Sequence, residues 1–251
     1  MTIYFPPLRT KRLTVQLREL TIGESLQLAA MPPHKPEAVC TAFLRSAVAE
    51  TKGIADPAQW TVGERLLVVA QYMAATLEDG PDFSLGEGRY SDYLNGERDM
   101  DDVLHDVGEV GGDVWKARHL TGGMAEAIER LDGELPNING RLHWLYGAMG
   151  AQLVRVNEEA PTPAEGEGAF DEWLLARMRT LLAFPESDAQ NLMGLFLNAR
   201  AQMQHLFHVE FVQDGIVAMP KGGAAVKLPP ARFPAYSCLS EFARQMGGKP
   251  D

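Results

Sequence analysis

Cysteine is nearly absent from this chain. Only Cys40 and Cys238 occur in 251 residues, far apart and without the paired spacing of a metal site. A disulfide framework is excluded, and a reducing cytoplasm fits the count. Basic residues are also short: 23 Lys and Arg stand against 34 Asp and Glu, a net charge of −11. Binding to duplex nucleic acid or to an anionic membrane needs a basic face, so both are disfavoured as partners. No apolar run approaches the roughly 20 residues that cross a bilayer. The start, MTIYFPPLRTKR, lacks an apolar signal core. The phosphate loop, the dinucleotide fingerprint, the nucleophile elbow and the zincin helix are missing too.

What is present is helix grammar. LTIGESLQLAAM at 20–31 is echoed by WTVGERLLVVAQYM at 60–73. Each places a Thr before an apolar run and a Glu three residues later. That is a capping box, in which the Thr oxygen takes one orphan amide of the first turn and the carboxylate reaches back to another. Thr21 with Glu24 and Thr61 with Glu64 are therefore structural caps. Carboxylates so engaged are poor candidates for catalysis. A strand is predicted at 11–19 from the alternation of Leu13, Val15 and Leu17. Helices are predicted over 22–31, 36–50 and 62–74.

Residues 78–113 are acidic and glycine-rich, with Arg89 and Arg98 as the local cations. Phe83, Tyr90, Tyr93 and Leu94 argue against full disorder. Short helices are expected near 91–95 and 99–108. Two readings stay open for the aromatics: they pin the loop to its own body, or Phe83, Tyr90 and Tyr93, with Asp92, form a partner-binding surface. Further helices are predicted at 114–133, 137–155 and 168–183, and from Ser187. Asp214-Gly215 between two apolar runs predicts a β-hairpin over 206–219, with positive φ at Gly215. The expected fold is mainly α: a multi-helix body with an N-terminal strand and a C-terminal β-hairpin region, the α+β character being minor. The domains expected are 1–155, holding the acidic loop 78–113, then an acidic linker or loop at 156–168, then 169–251 with helices and hairpin packed on the first part.

Candidate chemistry is sparse. DYLNGERDMDD lacks the alternating oxygens of a calcium loop. His205 and His208 could ligate a metal with a third ligand from elsewhere, though a packed junction pair explains them as well. His105 amid Asp101, Asp102 and Asp106 reads as an acid–base group or as an exposed ion-pair partner. Cys40 reads as buried. RLHWLYGAM at 141–149 reads as an amphipathic core helix in preference to a base-stacking platform. No cofactor, metal or catalytic residue is assigned.

The strand-to-capped-helix unit LTVQLRELTIGESLQLAAMP, with the second TVGERL phrase at 61–66, resembles the start of tail-assembly and baseplate-hub proteins of tailed bacteriophages. The C-terminal HLFHVEF…LPPARF is similar to a degenerate form of the β region that carries a zinc-binding Cys pair in some members. That pair is absent here, so no zinc site carries over. The resemblance covers about a third of the chain. It implies a non-enzymatic protein whose partners are other phage tail or baseplate proteins, located in the host cytoplasm during assembly or in the virion tail. Two alternatives remain at this stage: a small metal-dependent hydrolase using His205 and His208, and a cytoplasmic adaptor unrelated to phage.

Overall fold

The computed structural model describes residues 3–96, 104–163, 167–222 and 228–246. The chain divides into two compact units. The first is Met1–Asp99, His205–Glu210 and Ile216–Asp251, and the second is Met100–Gln204 with Phe211–Gly215.

The first unit begins with β1 (Leu8–Arg9) and β2 (Leu13–Leu17). Leu13, Val15 and Leu17 point inward and are buried, while the polar residues between them are half-exposed. Then follow α1 (Ile22–Ala29), α2 (Pro36–Ala47) and β3 (Val48–Gly53). β3 pairs antiparallel with β2, so the sheet order is β1-β2-β3. A 3-10 turn at Pro57–Gln59 leads into α3 (Val62–Thr76), whose buried face carries Leu67, Val68, Val69, Ala70, Tyr72 and Met73. Phe43 and Leu44 of α2 are fully buried. Each side chain of this size contributes ~1.5–3 kcal/mol by leaving water. The acidic segment folds into β4 (Ser84–Leu85), β5 (Gly88–Arg89), α4 (Tyr90–Tyr93) and β6 (Leu94–Asn95).

The second unit opens on a hairpin where helices are predicted at 99–108 and 114–133. β7 (His105–Val110) and β8 (Asp113–Ala117) pair antiparallel. The turn is Gly111-Gly112, at φ 65 and 81, a left-handed pair that only glycine adopts without strain. Residues 97–103, with Arg98, lie outside the described residues. The helix arrives later, as α5 (Gly122–Arg130), capped by Thr121, whose hydroxyl accepts from the Met124 amide. α6 (Gly140–Gln152), β9 (Leu153–Arg155), α7 (Glu167–Leu182) and α8 (Glu186–Gln202) complete this unit. β9 adds to β8, giving the order β7-β8-β9. α6 packs closely on α5, because a Cβ at Gly147 would lie 2.6 Å from Ile128.

β10 (Leu206–Val212) and β11 (Gly215–Met219) form the C-terminal hairpin, and Gly215 has φ 128. β10 also pairs with β6, so the sheet order is β11-β10-β6. A 3-10 turn at Ala235–Cys238 and α9 (Glu241–Met246) follow. Residues 223–227 lie outside the described residues.

The expectation of a mainly α fold is overturned. The chain is 47% helical and 21% strand, in four small antiparallel sheets among the described residues, an α+β mixture. The physical reason lies in strand length. Pairs such as β4–β5 and β6–β10 involve two residues a side, too short to show any alternation. Residues 156–163 and 167–204 fall in the second unit together with Phe211–Gly215 of the C-terminal hairpin.

Candidate functional site

Both capping boxes are formed. The Thr21 hydroxyl accepts from the Glu24 amide, and the Glu24 carboxylate accepts from the Thr21 amide at 2.8 Å. Glu24 also receives the fork of Arg18, with Nη1 donating to Oε2 at 3.0 Å. That guanidinium, helped by the Thr21 amide, lowers the Glu24 pKa to about 2. A carboxyl depressed on folding stabilises above its unfolded pKa, and the stability is lost as pH falls through the folded value. Glu24→Gln should therefore flatten the acid limb of the first unit's stability between pH 4.5 and 2, measured by urea unfolding. An unchanged limb would show that the pair does not hold in solution.

The second box is buried and carries more. Thr61 and Glu64 are inaccessible, and the Thr61 hydroxyl lies 2.8 Å from Nε2 of His205. Glu64 Oε2 accepts from the Thr61 amide at 2.9 Å, while its other oxygen lies 3.3 Å from Arg12 Nε. Arg65, buried, donates to the Glu37 carbonyl at 2.7 Å and lies 3.5 Å from its carboxylate. This network binds strand, helix and hairpin base within the first unit.

The network also explains why the two echoed phrases share a glycine and use it differently. A Cβ at Gly63 would stand 2.9 Å from the His205 carbonyl and 3.2 Å from its ring, while a Cβ at Gly23 meets nothing within 4 Å. Gly63→Ala should thus cost ~1–3 kcal/mol through overpacking. Gly23→Ala, exchanging glycine for the best helix former, should be neutral or stabilising. Equal effects in chemical denaturation would contradict this reading.

The aromatics of the acidic segment face inward. Phe83 and Tyr93 are fully buried. Phe83 stacks on Tyr90 at 5.3 Å, and both meet Phe233 edge-on. The Tyr93 hydroxyl donates to the Pro229 carbonyl at 2.8 Å. Burial pushes the Tyr90 hydroxyl up to about 12, with Asp82 adding to the shift. Asp92 accepts from the Arg89 amide at 2.8 Å, and its own carbonyl accepts from the Lys221 amide. Phe83, Tyr90 and Tyr93 thus pin the acidic segment to the first unit's own residues, and Asp92 closes the turn at Arg89.

His205 and His208 do not converge. His205 meets Thr61, whereas His208 is exposed and lies 3.2 Å from Glu210. His205 precedes β10, and the left-handed φ of 58 at Leu206 turns the chain between the two histidines. Among the described residues no group of three or more His, Cys, Asp or Glu side chains is placed to hold a metal ion. His105 stands edge-on to His119 at 6.0 Å, and Asp106 pairs with Lys116 at 3.3 Å. Asp101 and Asp102 lie outside the described residues. In RLHWLYGAM, His143 and Trp144 are buried, and Trp144 stacks on Phe211.

The second unit holds a constellation that sequence reasoning missed. Three elements, β8, β9 and α7, with Arg118 just after β8, contribute to a ladder of alternating guanidinium and indole groups. Arg155 lies over Trp115 at 5.0 Å, Arg177 over Trp115 at 5.1 Å and over Trp173 at 5.6 Å, and Arg118 over Trp173 at 5.9 Å. Glu158 accepts from both Nη atoms of Arg177, at 3.0 and 2.7 Å, and from the Arg155 amide at 2.9 Å. Arg118 donates to the carbonyls of Ala151, Ala160 and Pro161. The ladder thereby fastens the acidic loop after β9. Sequence separations of 40, 62 and 55 residues in three of the four Arg–Trp pairs hid it; tryptophans and arginines in an acidic chain were the available signal.

Among the described residues, no helix is long and apolar enough to cross a membrane. No protein-family model, curated protein or solved structure matches the chain.

Proposed function

We propose that this chain is a non-enzymatic protein of bacteriophage tail or baseplate assembly, acting by protein–protein contact as a virion component or an assembly chaperone. The N-terminal strand-to-capped-helix phrase and its recurrence at 61–66 support the family assignment. The single observation that carries the non-enzymatic part is how the reactive groups are used. Glu24 is engaged in a cap and with Arg18, and Glu64 and His205 in a buried network with Thr61 and Arg12. The hydrolase alternative needs His205 and His208 on one ligand, and their rings serve different partners.

On this reading the protein works in the host cytoplasm or in the virion tail, with tail or baseplate proteins as partners. The test is affinity capture of the tagged chain from phage-producing cells, together with mass spectrometry of purified virions. Recovery of tube, sheath, hub or tape-measure proteins with the chain is the expected result. A gene neighbourhood without tail genes, and capture without any tail protein, would overturn the proposal.

A further inference from the structure

Strand β3 ends the β1-β2-β3 sheet and runs for 6 residues without one buried side chain. Its inner edge is taken by β2. The Thr10 amide donates to the Leu13 carbonyl at 2.8 Å, which turns the backbone groups of Leu13 toward β1. By alternation Val15 also faces β1, while Thr14 and Gln16 face Lys52 and Glu50 of β3. Thr51, opposite Val15, therefore directs its N–H and C=O to the outer edge. Among the described residues no strand pairs with that edge. Beside it lies a hollow of about 370 Å³, whose lining includes Val48, Thr51, Ala55 and Pro57 together with Arg45 and Asp56. An open edge is a template for a further strand, and the charges along it select which one. Arg45 pairs with Asp56 at 3.1 Å, and exposed Glu50 and Lys52 flank Thr51. The edge is thus locally neutral in a chain of net charge −11.

We propose that β3 is a self-association edge, pairing antiparallel with β3 of a second copy of this chain about a two-fold axis at Thr51. In that register the two Thr51 residues exchange N–H and C=O bonds. Glu50 of each copy then stands opposite Lys52 of the other, in the close, non-hydrogen-bonded pair of an antiparallel ladder. The two sheets become one, in the order β1-β2-β3-β3-β2-β1. Slipping the partner by two residues, the step that preserves the ladder's alternation, sets Glu50 on Glu50 or Lys52 on Lys52. Like charges directly opposite are destabilising, so the charges that guard this edge against other strands fit one register of its own copy. Glu50 and Lys52 share the outer face with Gln16 and Thr14, away from buried Leu13, Val15 and Leu17. The register shift between Gln16 and Leu17 lies at the start of β3 and confines the pairing to residues 50–52 and their neighbours. Such an isologous contact closes at a dimer. Its small area puts it in the weak, concentration-dependent class.

The experiment is sedimentation velocity of the full chain from micromolar to millimolar concentration, where a reversible monomer–dimer equilibrium is expected. Glu50→Lys and Lys52→Glu should each abolish the dimer while melting like the parent, because both side chains are exposed. Mixing the two variants should restore a dimer with one chain of each, since opposite charges again face each other at both cross-strand positions. Thr51→Pro should also stay monomeric: it removes the N–H that faces the open edge and no bond to β2. A parent that remains monomeric at every concentration would overturn the proposal. So would a dimer that the single charge reversals leave intact, or one that mixing them fails to restore.

Discussion

Phe83→Ala is expected to destabilise the first unit by about 3–5 kcal/mol, the usual cost of removing a fully buried aromatic ring. Phe83 has no solvent exposure, stacks on Tyr90 and meets Phe233 edge-on. The side chain fills the space between the acidic segment and the strand-and-turn region near 207 and 233, where Phe207 and Phe233 also touch at 5.2 Å. Truncation leaves a ring-sized void that β4, β5 and α4 cannot collapse into, since each is only two to four residues long. Urea unfolding of the isolated chain, followed by tyrosine and tryptophan fluorescence, measures the loss. An isolated variant as stable as the parent would mean that Phe83 is not packed in the core.

Glu158→Ala should cost the second unit about 3 kcal/mol, because it strands a buried cation. The Arg177 side chain is 6% exposed and lies between two indoles, and Glu158 is its only carboxylate among the described contacts. The Leu153 carbonyl at 3.2 Å remains to it, but carries no compensating charge. Glu158 is held below the ordinary carboxylate range: burial opposes this, and the Arg155 amide and the Arg177 guanidinium outweigh it. Its stabilisation is accordingly present above the unfolded carboxyl pKa and lost as pH falls through the lowered folded value. The double variant Glu158→Ala with Arg177→Met should recover much of the loss, since no charge is left buried. An exposed pair provides the contrast. Asp106 is 86% exposed beside Lys116, so Asp106→Ala should change stability by less than ~1 kcal/mol. Comparable losses at Glu158 and Asp106 in thermal and urea unfolding would refute the buried-cation argument.

Much of the helical layout was legible because its signals are local. Thr21 with Glu24 and Thr61 with Glu64 lie within one turn, and a cap needs nothing beyond that turn. Strand β2 was readable from its two-residue alternation, and the C-terminal hairpin from Asp214-Gly215. The β7–β8 hairpin carried an equally local signal, Gly111-Gly112 between Val110 and Asp113. It was hidden by acidic residues that suggested a loop and by downstream residues that suggested a helix. LTGGM at 120–124 holds a third Thr cap, without the carboxylate that closes a box, and marks where α5 begins.

The sequence by itself determined where the chain turns and which segments can be helical, since caps, glycine φ values and apolar spacing act over a few residues. It determined the excess of acid as well, and with it the classes of partner that charge disfavours. Only the tertiary structure decided that Phe83, Tyr90 and Tyr93 face inward, that Arg177 lies between Trp115 and Trp173, and that Gly63 makes room for His205. Each of these joins residues tens to hundreds of positions apart. Their energies come from burial and close approach, which no local pattern encodes.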